Sequence, residues 1–227
     1  MYARFFKRPL DFCCALSAIL CLSPILVVLT ILGAVKMKGN PFFTQPRPGK
    51  SEKIFKLIKF RTMTNECDAN GNLLPDDVRL NSYGKFLRST SLDELPELFN
   101  ILKGDMAVIG PRPQLVRDMV FMTPEQRKRH SVRQGLSGLA QVNGRNAITW
   151  ENKIAFDLEY IQHITFIGDV IIVLATLGKV FRRDGITESD CDTATDLADY
   201  LLSQGRITRK EYDRGQAEAK RLIAEAF

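Results

Sequence analysis

Apolar and polar positions divide the chain into a long apolar segment near the N-terminus, an amphipathic central region and a polar tail. No formal charge occurs between Asp11 and Lys36, and this run exceeds the roughly 20 residues with which a helix crosses a bilayer. Basic residues flank it on both sides: Arg4, Lys7, Arg8, Lys36 and Lys38. Since a spanning helix usually has its lysine and arginine excess on one side only, the pattern favours a segment that enters the membrane and returns.

The middle of this segment contains Ser23 and Pro24. Pro24 lacks the helical N–H and clashes with the preceding turn, and the Ser23 hydroxyl can satisfy the carbonyl that is freed. We therefore predict a helix-break-helix anchor bent at these two residues. A spanning helix with a proline kink is the alternative.

Beyond the anchor, hydrophobic periodicity predicts a mixed α/β domain. Ile54 to Met63 begins with alternating apolar and basic residues, as a half-buried strand does. Asn40 to Pro48 contains three prolines and is expected to form an extended turn. Thr149 can cap a helix that continues to Gln162. Phe166 to Phe181 has the apolar pattern of a helix that packs on the domain or lies in the bilayer interface.

From Thr187 onward the composition changes to polar helix formers. The predicted organisation is a re-entrant membrane anchor over residues 1–38, a cytosolic domain over 39–185 and a helical C-terminal extension over 186–227. The fold class is mixed α/β, with a small antiparallel sheet and amphipathic interfacial helices.

The composition of the chain limits the classes of partner that it is expected to bind. The 227 residues carry a net charge of +6 and a pI near 9.1, which fits acidic lipid headgroups or a phosphorylated small molecule. Nucleic acid is not expected, because no zinc-finger spacing, helix-turn-helix pattern or stacking platform accompanies the charge. Three of the five cysteines lie in the apolar segment, without metal-ligand spacing, which favours a reduced, cytoplasm-facing protein. His130 lies in a charged run and is interpreted as a solvated surface residue.

The chemistry is expected at Asp93 and Glu94, two adjacent carboxylates. Ser91 to Glu94 fits a capping box, so a purely structural interpretation is that both acids favour the start of a helix. The position at which this helix begins stays open because of Pro96. If Ser91 is the N-cap, Pro96 comes one position after the unpaired backbone N–H groups of the first turn. If Asp93 is the N-cap, Pro96 falls among those groups. A helix start also binds phosphate readily, and a carboxylate beside it could hold Mg²⁺ or attack phosphorus.

Six short motifs occur in order along the chain. They are the Ser-Pro of the anchor (23–24), Lys-Phe-Arg-Thr-Met (59–63), Ser-Leu-Asp-Glu-Leu (91–95), Lys-Gly-Asp-Met (103–106), Gly-Pro-Arg-Pro (110–113) and Gln-Val-Asn-Gly-Arg (141–145). Together they resemble the motifs of monotopic phosphoglycosyl transferases. Residues 1 to about 185 resemble the small members of that bacterial family.

The resemblance implies a re-entrant anchor in the bacterial inner membrane and a catalytic domain facing the cytoplasm. It implies transfer of a phosphosugar from a UDP-sugar to a polyprenol phosphate, such as undecaprenyl phosphate, with release of UMP. By the family pattern, Asp93 is the nucleophile that forms a covalent phosphosugar intermediate, and Glu94 positions or deprotonates the acceptor.

Such a reaction brings anions together and needs charge neutralisation. Mg²⁺, with Asp93 as its candidate ligand, and fixed cations would supply it. The candidate cations for the diphosphate or the acceptor phosphate are Lys59, Arg88, Arg112, Arg133 and Arg145. Arg112 and Arg145 are favoured because they lie in family motifs.

Two other functions stay open. A glycosyltransferase that releases UDP would usually carry an Asp-x-Asp metal motif after a strand, and the match considered, Asp190-Cys191-Asp192, lies in the polar tail. A membrane scaffold that binds nucleotide sugars without turnover would not need the carboxylate pair. The sequence does not specify the sugar.

The tail departs from the small family members. Leu201 to Tyr212 resembles short helical C-terminal modules with two leucines, a glycine and an Ile-Thr cap before acidic residues. It could mediate self-association or the docking of a later pathway enzyme, or it could be a solvated appendage. Catalysis is not expected to need it.

Overall fold

The computed structural model describes residues 1–144, 148–182 and 195–227. Its α-helices are α1 (Lys7–Lys36), α2 (Asp76–Arg79), α3 (Ser82–Thr90), α4 (Glu97–Lys103), α5 (Val116–Phe121), α6 (Pro124–Arg127), α7 (Leu139–Asn143), α8 (Trp150–Gln162), α9 (Phe166–Arg182), α10 (Leu197–Ser203) and α11 (Arg209–Ala226). Its strands are β1 (Phe42–Pro48), β2 (Ile54–Phe60), β3 (Met106–Ile109) and β4 (Gln134–Ser137). Shorter helical turns occupy Tyr2–Phe6, Lys50–Glu52, Leu92–Glu94 and Lys128–Ser131.

The apolar N-terminal segment forms α1 as one uninterrupted helix. Pro24 lies inside it, so the predicted break at Ser23 and Pro24 is not confirmed. Proline deprives the carbonyl four residues earlier of its donor, and that carbonyl, on Leu20, accepts a hydrogen bond of 2.8 Å from the Ser23 hydroxyl instead. The predicted role of Ser23 is confirmed. By length and composition, the helical stretch Tyr2–Lys36 could cross a membrane.

Both ends of α1 are fixed to the same domain. Near its start, Arg8 donates to the carbonyl of Ile101 at 2.6 Å and to that of Leu102 at 2.8 Å. Near its end, the Tyr83 hydroxyl donates to the carbonyl of Leu29 at 2.8 Å. A helix of 30 residues is about 45 Å long. The domain therefore lies along the helix instead of beyond one end of it.

The strands of the described ranges form two two-stranded sheets. β1 and β2 are antiparallel, from Phe42 opposite Phe60 to Pro48 opposite Ile54, which confirms the strand predicted from residue 54 and the small antiparallel sheet. The extended turn predicted over 40–48 is wrong, because that segment is an edge strand, where proline is tolerated. β3 and β4 form a parallel pair, which was not predicted.

α9 presents an apolar face to the outside and is tied to the anchor by a buried carboxylate. Its exposed large side chains are Phe166, Ile167, Val170, Ile171, Leu174 and Leu177. Asp169 is buried and accepts hydrogen bonds of 2.7 Å from the hydroxyls of Tyr2 and Tyr160. The predicted helix is confirmed, and its place in the bilayer interface stays a prediction. α8 begins after Thr149 and ends at Gln162, as predicted.

The described part of the tail, residues 195–227, packs on the domain. α11 lies against α5, and Ala219 is buried together with Val116 and Met119. α10 is joined to α5 because the Leu197 N–H donates to Asp118 at 2.9 Å. This part of the tail is therefore integrated into the fold and is not a solvated appendage. Self-association and docking of another enzyme stay predictions.

Candidate active site

Asp93 and Glu94 lie in a short 3-10 turn between α3 and α4. Ser91 ends α3 in the left-handed conformation, with φ 56°, and its side chain makes no capping hydrogen bond. α4 begins only at Glu97, with Pro96 as its N-cap. The predicted capping box is therefore wrong. Ser91 is the N-cap of the 3-10 turn that contains the two acids, and the α-helix follows separately with Pro96 as its N-cap.

The left-handed Ser91 is unusual, since a positive φ costs energy for a residue with a side chain and such residues cluster at functional sites. It turns the chain sharply, so that the carboxylate pair sits between two helices instead of inside one. The local sequence alone does not show this turn, because serine has no special preference for the left-handed region.

Glu94 is held by two cations. Its Oε1 accepts hydrogen bonds from Lys59 Nζ at 2.8 Å and from Arg112 Nη2 at 2.6 Å. Burial by itself would raise the pKa of Glu94, but the charges of Arg112 and Lys59 outweigh burial and hold this pKa well below its ordinary value. Glu94 is therefore a fixed anion at neutral pH, unsuited to accepting a proton.

Asp93 has a different environment, although it is the adjacent residue. Its carboxylate accepts no hydrogen bond from the described residues, and it is only partly buried. Burial, followed by the charge of Glu94, raises its pKa to about 6, against the opposing charges of Lys59, Arg112 and Arg88. At neutral pH it is a carboxylate whose oxygens accept no hydrogen bond from the described residues, and such an oxygen is available to act as a nucleophile.

Glu97 is a third acid of the site that sequence reasoning missed. It is 3% exposed, and its Oε1 lies 3.2 Å from Lys59 Nζ. Burial raises its pKa to about 7, although the charge of Lys59 opposes this. Burial also disfavours the charge of Lys59, but Glu94 and Glu97 together raise the pKa of this lysine. Lys59 thus bridges two carboxylates, a role that its place on a strand does not reveal.

Arg112 reaches Glu94 from the Gly-Pro-Arg-Pro loop, which is fixed by backbone contacts to β4. Gly110 donates to the carbonyl of Ser137 at 2.9 Å, and Gly135 donates to the carbonyl of Pro111 at 2.9 Å. The backbones approach so closely that a Cβ on Gly135 would lie 2.1 Å from the Gly110 nitrogen. Glycine is required there because any side chain would push the loop away.

A buried ion pair supports the same loop. Arg129 is 0% and Asp157 is 2% exposed, and Arg129 Nη2 donates to Asp157 Oδ2 at 2.6 Å and to the backbone carbonyl of Arg112 at 2.6 Å. Sequence reasoning missed both residues, since Arg129 lies in a run that is typical of a solvated surface. His130 in that run is also buried, contrary to prediction, and burial lowers its pKa to about 3.

The structure brings together three of the five candidate cations. Lys59 and Arg112 contact Glu94, and Arg88 acts on Asp93 while its Nε donates to the Thr62 hydroxyl at 3.1 Å. Arg133 instead donates to the carbonyl of Gly104 at 2.8 Å, at the far end of α4 from the carboxylate pair. Arg145 lies outside the described residues, as does the Asp190-Cys191-Asp192 motif.

The donor set fits a magnesium ion shared with a substrate. Among residues 1–144, 148–182 and 195–227, no group of three or more His, Cys, Asp or Glu side chains is arranged to hold a metal. Mg²⁺ does not need one, because it is commonly bound by one or two carboxylates together with substrate phosphates. Suitable oxygens are those of Asp93 and the Oε2 of Glu94, which accept no hydrogen bond from the described residues.

Comparison with known proteins identifies the family. The sequence matches the family described as Bacterial sugar transferase over residues 2–183. The chain belongs to the bacterial sugar transferase family. The resemblance drawn from the six motifs is confirmed at this level, and the carboxylate pair, the Gly-Pro-Arg-Pro loop and the apolar anchor all lie in the matched region.

This sugar transferase covers nearly the whole length of some relatives and less than half the length of others. It is 45% identical over 190 residues to the "Uncharacterized sugar transferase EpsL" of Bacillus subtilis, covering 83% of this chain and 93% of EpsL. It is 34% identical over 201 residues to the "Undecaprenyl-phosphate galactose phosphotransferase" of Salmonella typhimurium, covering 81% of this chain and 42% of that protein. It is 38% identical over 186 residues to the "UDP-glucose:undecaprenyl-phosphate glucose-1-phosphate transferase" of Klebsiella pneumoniae, covering 78% of this chain and 40% of that protein.

Proposed function

We propose that this sugar transferase moves a sugar phosphate from a UDP-sugar to a polyprenol phosphate and releases UMP, through a covalent intermediate on Asp93. The observation that carries the proposal is the contrast between two adjacent carboxylates. Glu94 is engaged by Lys59 and Arg112, whereas Asp93 accepts no hydrogen bond from the described residues. Glu94 is therefore suited to a positioning role, and Asp93 is suited to act as the nucleophile.

The names of the relatives support the same overall reaction. Those from Salmonella and Klebsiella are named for moving a galactose or glucose phosphate to undecaprenyl phosphate, and the Klebsiella name includes UDP-glucose as the donor. Because this chain spans only 42% and 40% of those proteins, their activity is extended to it as part of the proposal.

In the first step, a carboxylate oxygen of Asp93 attacks the phosphorus that carries the sugar. The bond between that phosphorus and the bridging oxygen of the diphosphate breaks, and UMP leaves with the electron pair. The product on the enzyme is an acyl phosphate of Asp93 that still carries the sugar. Lys59, Arg88 and Arg112 provide positive charge that is fixed before the reaction, which lowers the cost of bringing an anion to an anion.

In the second step, an oxygen of the acceptor phosphate attacks the same phosphorus. The bond between that phosphorus and Asp93 breaks, so that the carboxylate is regenerated and a lipid diphosphate sugar forms. A phosphate monoester has its second pKa near 6, so most of the acceptor is already dianionic at neutral pH. Glu94 is therefore assigned to holding Lys59 and Arg112 in position instead of acting as a base.

Magnesium, when bound, supplies further neutralisation of the phosphate charge. The carboxylate of Asp93 and the Oε2 of Glu94 are the protein oxygens that would hold it, together with phosphate oxygens of the substrate. Omitting Mg²⁺ and adding a chelator is expected to abolish transfer, while the fold, measured by its Tm, is unchanged.

The membrane topology is part of the proposal. Both ends of α1 contact one domain, through Arg8 at the start and Leu29 near the end, which supports an anchor that enters and leaves the same face of the membrane. The bacterial inner membrane and its cytoplasmic face are where a UDP-sugar would reach the site. Arg4→Cys and Lys36→Cys, each in a background without native cysteines, should react with a membrane-impermeant maleimide from the same face of sealed vesicles. Reaction from opposite faces would indicate a spanning helix.

The reaction is tested by the nucleotide that is released. The purified protein in lipid nanodiscs is incubated with undecaprenyl phosphate, Mg²⁺ and a panel of UDP-sugars. UMP from one donor, together with a sugar-phosphate mass on the peptide containing Asp93 when acceptor is omitted, is expected. Asp93→Asn should bind donor and form no adduct, whereas the exposed Asp213→Asn should behave as the wild type.

Other nucleotide outcomes separate the alternatives. Release of UDP would indicate transfer of the sugar without its phosphate. Donor binding with no nucleotide release from any donor, unchanged by Asp93→Asn, would indicate a scaffold that binds nucleotide sugars.

A further inference from the structure

An apolar cavity opens between the anchor, the β1–β2 sheet and the segment that follows the carboxylate pair. Its volume is about 220 Å³. Val27 and Ile31 of α1 form one wall, and Phe42 and Phe60, whose rings stack with centroids 5.4 Å apart, form a second. The single polar lining group, the hydroxyl of Thr30, is already engaged, since it donates to the Leu26 carbonyl at 2.7 Å. The cavity therefore offers its occupant only apolar contact.

The remaining wall belongs to the catalytic segment. Pro96 and Phe99 line the cavity, and Pro96 is adjacent in sequence to Glu97. Leu92 and Leu95, the residues on either side of the carboxylate pair, pack against the same buried cluster as Leu26 and Phe60. The cavity therefore lies beside the carboxylate pair. An occupant that fills it and also reaches the site must be apolar along its length and anionic at its end.

We propose that this cavity holds the first isoprene units of the polyprenol phosphate, next to its phosphate. The inference rests on the proposed function and deepens it by assigning the lipid part of the acceptor to a place on the protein. The phosphate meets the cations at the carboxylate pair, and the hydrocarbon leaves the cavity along α1, on which Val35 is also exposed. A soluble phosphate ester has no hydrocarbon chain that could contact the apolar walls of the cavity. A bulk phospholipid has such chains, but they do not end in a phosphate monoester.

The cavity can be filled without changing the charged site. Val27 lines it and is 57% exposed, while the next residue, Val28, is 54% exposed and does not line it. Val27→Trp is expected to raise the KM for undecaprenyl phosphate at least about tenfold, equal to losing the burial of roughly two methylene groups. Val28→Trp should stay within about twofold of the wild type, since a change that small is a fraction of 1.4 kcal/mol. Ile31→Trp and Leu32→Trp give a second matched pair, because Ile31 lines the cavity and Leu32 does not.

Release of UMP in the absence of acceptor provides the control for folding and donor binding. All four variants should give the wild-type burst, and an acceptor with a two-isoprene chain should show a smaller difference between the paired variants than the long acceptor. Equal KM values for undecaprenyl phosphate within each pair would overturn the proposal. A reduced burst in the cavity variants alone would also overturn it, by assigning the cavity to the donor or to folding.

Photocrosslinking tests the site without relying on turnover. A diazirine-bearing isoprenyl phosphate should label residues 26–31 and β1, and Val27→Trp should lose this label while Val28→Trp keeps it. Labelling with a wild-type protein that releases no UMP would support the lipid site while rejecting the proposed reaction. Equal labelling by a phosphatidylglycerol with the same diazirine would overturn the inference, because the cavity would then accept any lipid chain.

Discussion

Arg129 and Asp157 form a buried ion pair that also fixes a residue of the active site. Arg129 Nε lies 2.9 Å and its Nη2 2.6 Å from Asp157 Oδ2, and Nη2 donates to the backbone carbonyl of Arg112. The side chain of Arg112 in turn holds Glu94. This pair thereby positions the arginine that holds Glu94 in the candidate site.

Asp157→Asn should destabilise the fold and misplace Arg112. Removing one partner leaves a buried guanidinium without its counter-charge, and such changes typically cost about 3–5 kcal/mol. We expect a lower Tm and a reduced rate of intermediate formation. Asp213→Asn is the control, since the pair of Asp213 with Arg209 is exposed and such pairs contribute at most about 1 kcal/mol. Equal Tm values for the two variants would show that the buried pair does not stabilise the domain.

The rate of intermediate formation should depend on the protonation of Asp93. Because folding raises the pKa of this carboxyl to about 6, the nucleophilic carboxylate becomes scarce below that pH, and the rate should fall about tenfold per pH unit there. The measurement is the acceptor-free burst of UMP as a function of pH in one mixed buffer at constant ionic strength. Because bound Mg²⁺ would favour the carboxylate and lower this pKa, the burst is compared at several Mg²⁺ concentrations. A limb that stays centred near pH 4 at the lowest of them would show that Asp93 titrates as an ordinary exposed aspartate.

Asp93→Asn should raise stability at neutral pH. Folding raises the pKa of Asp93 above its ordinary value of 3.8, so the charged form is disfavoured in the folded state. Well below pH 3.8 the group is protonated in both the folded and the unfolded state and carries no cost, whereas well above pH 6 the full cost applies. We expect the variant to be more stable by on the order of 1 kcal/mol at pH 7.5, with most of the gain lost on acidification to pH 4. Tm measured at both pH values tests this, and a pH-independent difference would contradict it.

Features that depend on neighbouring residues in the chain were predictable. The periodicity of β2, the Thr149 cap of α8, the apolar length of α1 and the Ser23 hydroxyl beside Pro24 each follow from local chemistry. The Thr208 cap of α11 belongs with them, since Thr208 accepts from the Glu211 N–H. Asp93 and Glu94 are consecutive residues of the Ser-Leu-Asp-Glu-Leu motif, so the sequence alone was sufficient to predict that they lie together.

The environment that separates the two carboxylates was not predictable, because it depends on long-range contacts. Lys59 is 35 residues from Glu94 and Arg112 is 18 residues away, and nothing in either local pattern specifies the partner. Arg129 shows the same limit, since a charged run in sequence looks solvated until the fold places Asp157 against it. Pro96 is the N-cap of α4, but nothing in the local sequence specifies the left-handed Ser91 that ends α3.

Gly215→Ala should undo the docking of the tail and test whether the tail supports the site. Alanine favours a helix over glycine by up to about 1 kcal/mol, yet a Cβ on Gly215 would lie 2.2 Å from Cζ of Phe121 on α5, and such overpacking costs about 1–3 kcal/mol. Gly178→Ala is the matched control, because nothing lies within 4 Å of a Cβ there. We expect Gly215→Ala to lower the Tm and Gly178→Ala to leave it unchanged or raised.

The same pair of variants addresses the expectation that catalysis does not need the tail. Arg47 on β1 is half-buried, and burial, followed by the charge of Arg112, lowers its pKa to about 10, while Asp196 at the start of the described tail acts in the opposite direction. The charge of Arg47 therefore interacts both with Arg112 of the candidate site and with Asp196 of the tail. If the tail supports the site, Gly215→Ala lowers the acceptor-free burst of UMP at a temperature where the variant is still folded. A wild-type burst from the folded variant would show that the tail stabilises the domain without assisting the reaction.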